Sequence, residues 1–275
     1  MPLQGWYRTM ARRPPHATTE PGLESSVADT SHAVGVDGCR GGWFAVSADV
    51  QGNLHAHRYN TISDLWQACR SARLILVDIP IGLIDGDPGR RACDEQARAL
   101  LGPARNRVFW PPCRAAFTTA SHAEASRINR QHTGRGLSIQ SWSIMPRIRD
   151  VDVFLQSQPR ARGVLRECHP EVCFAALAGR PLTHTKKRTA GIKERLAILA
   201  RHLPDATAFY ERTRTAYPPG RTGVGRDDIV DAMVACATAM QPAERLSTLP
   251  GDPPCDAHGL PMEMVVCRQG EVTVG

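Results

Sequence analysis

The order of apolar and polar positions changes between an alternating and a helical period several times along the chain. Residues 33–37 form a short apolar run that ends in an acid, and residues 43–50 and 54–59 have the pattern of two further strands. The turns between them, 38–42 and 51–53, contain the glycine and asparagine residues that tight hairpins favour. The pattern therefore predicts three antiparallel strands in a meander.

A continuous apolar run over residues 74–80 ends at an acid and a proline. Such a run is typical of a parallel strand that is buried on both faces. A helix is predicted before this run, with Ser63 as a suitable N-cap. Residues 164–170 are predicted to form another strand that runs out into a loop. Helical spacing predicts helices over 90–101, 124–132, 138–155, 192–203 and 226–237, and a last edge strand is predicted over 262–266.

These elements predict an α/β fold with a mixed sheet, made of a meander plus parallel strands, flanked by helices. We expect one domain over residues 33–267, with a mostly helical insertion at 103–162. Residues 1–32 lack the apolar run of a secretory signal and are expected to form a disordered N-terminal tail. No stretch approaches the roughly 20 apolar residues that span a bilayer, which predicts a cytoplasmic protein without a membrane partner.

The composition is that of a folded globular protein, because 42% of the 275 residues are hydrophobic and 22% are charged. Nine cysteines include no C-x-x-C pair, so neither a disulfide framework nor a zinc ribbon is indicated. The net charge is +7, and residues 160–226 hold 14 Lys or Arg against 5 Asp or Glu. This local excess would attract a polyanion. A general preference for arginine explains part of it, since only three of the 34 basic residues are lysine: Lys186, Lys187 and Lys193.

Acidic residues stand at the ends of predicted strands and at the start of the last predicted helix. Asp37, Asp78 and Glu167 lie at strand ends, and Asp228 and Asp231 are three positions apart on one helix face. Parallel strands deliver their carboxyl ends to one edge of a sheet. Converging carboxylates repel unless a cation lies between them, and hard oxygen ligands select Mg²⁺ or Mn²⁺. The pattern predicts a divalent-metal site suited to phosphodiester hydrolysis.

Each acid also has an ordinary structural explanation. Asp37 precedes a glycine and fits a hairpin cap, and Asp78 fits a solvated strand end. Asp227 and Asp228 are typical residues of a first helical turn, and Asp231 fits an exposed charge on the same helix. Their joint placement at one sheet edge favours the metal site over these separate explanations.

Four motifs contain these acids, and in combination the chain resembles domain-of-unknown-function family 429 over about residues 32–267. Members of that family are regarded as predicted nucleases of the ribonuclease-H-like fold. The resemblance therefore implies this fold and a nucleic-acid partner. The motifs are Gly35-Val36-Asp37-Gly38-Cys39-Arg40-Gly41-Gly42-Trp43, Asp78-Ile79-Pro80-Ile81-Gly82, Glu167-Cys168-His169-Pro170-Glu171 and Asp227-Asp228-x-x-Asp231-Ala232.

The resemblance also implies a role for the matched acids. It makes Asp37, Asp78, Asp228 and Asp231 the ligands of Mg²⁺ or Mn²⁺, and these residues together with Glu167 the catalytic set. An ion pair between Glu167 and a nearby arginine is the alternative to a ligand role for this glutamate.

Further residues are candidates for contacts to phosphates or bases, and each of them also fits a local hydrogen bond to the backbone. Arg107 and Arg147 depart from the family pattern, where a small residue and a lysine are expected, and arginine preserves the charge of lysine but not its geometry. Trp110 and Trp142 could stack on bases or belong to the core. His169 is also a candidate proton shuttle or metal ligand, and its ordinary explanation is a hydrogen bond that fixes the loop before Pro170. The candidates for substrate binding are Arg40, Arg107, Gln140, Arg147 and His169.

The function predicted first is a divalent-metal-dependent nuclease that hydrolyses phosphodiester bonds of DNA or RNA, between which the sequence does not decide. A phosphotransferase or nucleotide hydrolase of the actin-like superfold is the second hypothesis, because the glycine-rich turn 38–42 could cradle a phosphate. The third is a catalytically idle nucleic-acid-binding adaptor. A homodimer also stays open, since resolvase-like enzymes with this core are often dimers.

Overall fold

A five-stranded mixed sheet forms the centre of the computed structural model, which describes residues 31–85 and 89–268. Three strands form an antiparallel meander, and two more join it in parallel. The α/β class and the mixed sheet predicted from the sequence are confirmed. The order across the sheet is β3-β2-β1-β4-β5, with β1 at Ser31–Cys39, β2 at Gly42–Asp49, β3 at Leu54–Tyr59, β4 at Leu74–Val77 and β5 at Leu165–Glu167.

Helices cover both faces of this sheet, and within the described ranges none of them is both long and apolar enough to cross a membrane. From residue 102 to residue 164 the described chain is helical or irregular. The helices are α1 Ile62–Cys69, α2 Ala92–Leu101, α3 His122–Thr133, α4 Ile139–Ser157, α5 Pro170–Ala178, α6 Thr189–Leu199, α7 Ala206–Ala216, α8 Pro219–Thr222 and α9 Arg226–Ala239. Short 3-10 turns lie at Gly102–Arg107, Arg114–Thr118, Pro159–Ala161 and Ala243–Arg245.

Helix α9 packs directly on the central strand β1. A Cβ atom on Gly35 would lie 2.0 Å from the amide nitrogen of Cys236, so only glycine permits this close approach. Phe44 and Leu76 lie in the same buried cluster as the inner side of α9, whereas Val36 lies in the cluster on the opposite face of the sheet. Because side chains alternate along a strand, the odd-numbered residues of β1 and the even-numbered residues of β4 face α9.

Two predicted element boundaries are wrong, at the start of α1 and after β5. Thr61, not Ser63, caps α1, because its hydroxyl accepts from Asp64 N at 3.0 Å while the Asp64 carboxylate accepts from Thr61 N at 3.2 Å. The segment after Glu167 is the helix α5 rather than a loop, since Pro170 suits a first helical position.

Other elements were not predicted or lie outside the described residues. Helices α7 and α8 were not predicted from the sequence. The predicted edge strand is present as β7 Met264–Cys267, paired antiparallel with a strand that was not predicted, β6 Leu246–Leu249. The expected tail at 1–32 lies outside the described residues except for positions 31–32, which belong to β1.

Candidate metal centre

Three aspartate side chains converge at the carboxyl edge of the sheet. Asp37 lies near the end of β1, Asp78 follows β4 directly, and Asp231 lies in the second turn of α9. One carboxylate oxygen of each lies within 4.8 Å of those of the other two. Asp37 and Asp231 are 8% and 0% exposed, and Asp78 is half-buried. We call these three residues the carboxylate triad.

Strand pairing and helix packing bring the triad together. Strands β1 and β4 are parallel, with Val36 opposite Val77, and Asp78 N donates to the carbonyl oxygen of Val36 at 2.9 Å. Asp37 and Asp78 therefore lie side by side on the sheet face that α9 covers. The close approach of α9 to β1 then places Asp231 against both of them.

Lys186 brings a positive charge to the triad from the segment between α5 and α6. Its Nζ donates to Oδ2 of Asp231, and 33% of its side chain is exposed. Burial favours the neutral amine, but the charges of Asp231, Asp37 and Asp78 outweigh it and raise the pKa of Lys186. The ammonium thus stays protonated at physiological pH, and one cation faces three carboxylates.

Burial raises the pKa of every member of the triad. The pKa of Asp78 is raised to about 6 and that of Asp231 to about 7. The pKa of Asp37 is raised well above its usual value, because the charges of Asp78 and Asp231 add to the effect of burial. Ionising all three at neutral pH costs free energy, and Lys186 offsets only part of that cost.

The triad fits a divalent cation. Oδ1 of Asp231 is buried and accepts no hydrogen bond from the residues that the structure describes. A buried carboxylate oxygen without a donor is costly unless a cation or water satisfies it. Mg²⁺ and Mn²⁺ both prefer oxygen ligands, and the triad supplies three carboxylates. The donor set therefore suits either ion.

The structure does not bring Glu167 to the triad. Glu167 stands opposite Val77 in the pairing of β4 with β5, so its side chain lies on the sheet face away from α9. There its carboxylate binds the buried guanidinium of Arg91 and accepts from Ile81 N at 2.7 Å. These contacts correspond to the alternative for Glu167, a pairing with arginine.

Asp228 lies beside the triad as a capping residue. Its Oδ2 accepts from Gly225 N at 2.8 Å, which closes the first turn of α9. Its pKa is raised by burial. The geometry therefore supports Asp37, Asp78 and Asp231 as a ligand group. Asp228, the fourth ligand predicted from the sequence, does not belong to this group.

A cleft of about 400 Å³ opens beside the triad. We call it the Asp78 cleft, because Asp78 is the triad member that lines it. Three of the predicted substrate-binding residues also line it, and so does one aromatic residue. The lining side chains that matter here are Asp78, Arg107, Phe109, Gln140, His169 and Lys187.

Hydrogen bonds fix two of the lining residues. Nη1 of Arg107 binds Oε2 of Glu171 at 2.6 Å, and the other oxygen of Glu171 binds the buried guanidinium of Arg195. Nε2 of His169 lies 3.3 Å from the carbonyl oxygen of Arg107, so this nitrogen carries the proton that it donates. Burial lowers the pKa of His169, which keeps the ring neutral at pH 7. Gln140 is exposed at the cleft rim.

The other predicted substrate contacts do not line the cleft. Arg147 donates to the carbonyl oxygen of Cys39, which is the backbone role that the sequence left open. The side chain of Arg40 is exposed, and its amide nitrogen donates to the carbonyl oxygen of Gly223 at 3.1 Å. Trp110 lies beneath three guanidinium groups, and Trp142 packs edge-on against His122 in partly buried surroundings.

Sequence reasoning missed Lys186, Phe109 and the Glu171–Arg195 pair. Lys186 lies between helices, where no periodicity marks it. The scarcity of lysine was an available signal, because a chain that nearly always uses arginine retains two adjacent lysines at 186–187. Phe109 lies two positions after Arg107, in a segment without strand or helix periodicity, so the sequence did not mark it as a site residue.

The raised pKa values predict how the metal-free protein responds to pH. Between about pH 4 and pH 7 the folded triad binds more protons than the unfolded chain, so stability falls as pH rises through this window. A divalent cation should reverse the loss, because it binds only the ionised, folded triad. We expect Mg²⁺ to raise the melting temperature clearly at pH 8 and little at pH 5, measured against a chelator control. An equal rise in melting temperature at pH 5 and pH 8 would contradict the raised pKa values of the triad.

Comparison with known proteins identifies one family. The family model described as "Protein of unknown function (DUF429)" matches residues 35–254, a range that contains the triad, Lys186 and the Asp78 cleft. No curated protein matches the chain, and no solved structure matches it.

Proposed function

The chain belongs to the family of proteins of unknown function DUF429, so its activity has to be inferred from its site, and we propose that it is a divalent-metal-dependent nuclease. The observation that carries this proposal is the carboxylate triad with the unpartnered Oδ1 of Asp231, beside a cleft whose rim carries Arg107, Lys186 and Lys187. Buried acids that suit a cation, next to basic groups that suit phosphates, favour a phosphodiester as substrate.

The arrangement of the sheet supports the finer assignment to the ribonuclease-H-like fold. An antiparallel meander continues into parallel strands, and a late helix brings an acid to the first strand. Asp37 on β1, Asp78 after β4 and Asp231 on α9 occupy the positions that the family resemblance implies for metal ligands.

The residues of the site divide the work between binding and charge. Asp37, Asp78 and Asp231 would hold Mg²⁺ or Mn²⁺, which when bound lowers the pKa of a water ligand and polarises the phosphate. Lys186 remains protonated, so it is a donor toward phosphate oxygens and not a general base. Arg107 is held by Glu171 at the rim, where its remaining N–H groups suit a neighbouring phosphate.

Cleavage of labelled nucleic acids tests the proposal. The purified chain is incubated with single-stranded, duplex, branched and hybrid substrates, with Mg²⁺ or Mn²⁺ and with a chelator. We expect metal-dependent cutting of at least one substrate, its loss in Asp37→Asn, and its retention in Asp150→Asn. Asp150 is a matched control, since it is an exposed aspartate on α4 outside the cleft.

Two other outcomes would overturn the proposal. Divalent-metal binding without cleavage of any substrate would favour the phosphotransferase or nucleotide hydrolase. Absence of metal binding would favour the idle adaptor.

A further inference from the structure

The reactive end of the Asp78 cleft lies below the protein surface. Asp37 and Asp231 are 8% and 0% exposed, and half-buried Asp78 is the triad member that lines the cleft. A phosphodiester that reaches the triad through this cleft has to enter it. The cleft volume of about 400 Å³ is in the range of sites that enclose one small organic molecule. That space suits one nucleotide rather than a base-paired helix.

The walls of the cleft carry three kinds of group that an unpaired nucleotide uses. Phe109 is half-buried and offers an aromatic surface for base stacking. The amide of Gln140 is exposed and makes no hydrogen bond within the described part of the chain, so it is free for a base edge. Lys187 is exposed and forms no ion pair with the described residues, so its charge is free for a phosphate.

We propose, on the premise that the protein is a nuclease, that its substrate is a single-stranded nucleic acid, or an unpaired end, of which one nucleotide enters the Asp78 cleft. The base lies against Phe109 with its edge toward Gln140, and the strand leaves the cleft past Lys187. A base inside a duplex is stacked and paired, so it cannot reach Phe109 without being extruded, which costs free energy. The cleft therefore selects unpaired nucleotides by shape.

Binding measurements separate this inference from the nuclease activity itself. The probes are a fluorescent single-stranded oligonucleotide, the blunt duplex of the same sequence and that duplex with an unpaired overhang. Fluorescence anisotropy is recorded with the full chain and Ca²⁺, a hard cation that also takes carboxylate ligands. We expect the single strand and the overhang to bind at least about tenfold more tightly than the blunt duplex.

Variants of the cleft wall give the second readout. Phe109→Ala should weaken single-strand binding about tenfold and leave duplex binding unchanged. The reason is that the stacking of one base on an aromatic side chain contributes about a tenfold gain in affinity. Phe109→Leu keeps an apolar side chain in the core contacts but lacks the ring, so it should weaken single-strand binding as well. Lys187→Ala should reduce the salt dependence of single-strand binding by about 0.7 in log–log slope. Lys193→Ala, on the exposed side of α6, is its control.

The outcomes distinguish failure of the inference from failure of the nuclease proposal. Equal or tighter binding of the blunt duplex, or unchanged single-strand binding in both Phe109 variants, overturns the inference even when cleavage is observed. Tight single-strand binding that depends on Phe109, without cleavage in any divalent metal, supports the cleft assignment and overturns the nuclease proposal.

Discussion

Asp78→Asn is expected to reduce metal-dependent cleavage by roughly 10²–10³-fold, the scale of losing one electrostatic element of an active site. The same change should stabilise the metal-free protein at pH 8. The pKa of Asp78 is raised to about 6, so its ionised form is disfavoured in the folded state and a neutral amide removes that cost. A rise of a few degrees in melting temperature is the expected size for a chain of this length.

Both readouts come from the same preparation. Melting is followed at pH 8 with a chelator and with Mg²⁺, and cleavage is followed on the substrate that the wild type cuts. The variant should also lose the stabilisation that Mg²⁺ gives to the wild type. A destabilised variant that still responds to Mg²⁺ would show that Asp78 has a structural role and is not a ligand.

Lys186→Met is expected to have the opposite effect on the metal-free protein. Removing the ammonium leaves Asp231 buried without its cation, beside two further carboxylates. Breaking a fully buried pair costs about 3–5 kcal/mol, and the cost here is smaller because 33% of the Lys186 side chain is exposed. We expect the melting temperature at pH 8 to fall by roughly 5 °C.

Mg²⁺ should restore more stability to Lys186→Met than it adds to the wild type, because the ion then replaces the positive charge that Lys186 supplied to the triad. Cleavage should fall while metal binding is kept, and Lys186→Arg should recover stability better than activity, since arginine keeps the charge but not its geometry. Lys193→Met, at an exposed position outside the cleft, should change neither the melting temperature nor the cleavage rate. A Lys186→Met protein as stable as the wild type in chelator would contradict the assigned role of Lys186 as counter-charge.

The sequence pattern was sufficient to predict those site residues whose positions depend on strand and helix periodicity. Asp37 and Asp78 end apolar runs, and the adjacency of β1 and β4 follows from parallel strands meeting at one edge. Asp228 and Asp231 were predicted to share a face of the last helix, and both lie on α9 three positions apart, where Oδ2 of Asp228 accepts from Gly225 N at the start of the helix. A capping hydrogen bond of this kind depends on where the helix begins, and spacing alone does not fix that residue.

The position of Glu167 could not be predicted because it depends on strand register. A shift of one residue between β4 and β5 would move its side chain to the other face of the sheet. The observed pairing of Val77 with Glu167 turns it toward Arg91 instead of the triad. Lys186 was missed for a related reason, since the segment between α5 and α6 reaches the triad only through tertiary packing.

Diffraction from crystals containing Mn²⁺ shows whether the triad binds a divalent cation, because the anomalous signal locates the ion without assuming any activity. We expect a peak among Asp37, Asp78 and Asp231, with carboxylate oxygens at about 2.1 Å and Oδ1 of Asp231 among the ligands. We also expect the peak to be absent from Asp78→Asn crystals grown in the same way. Crystals of the wild type without a peak at the triad, at saturating Mn²⁺ and neutral pH, would contradict the assignment of the triad as a metal site.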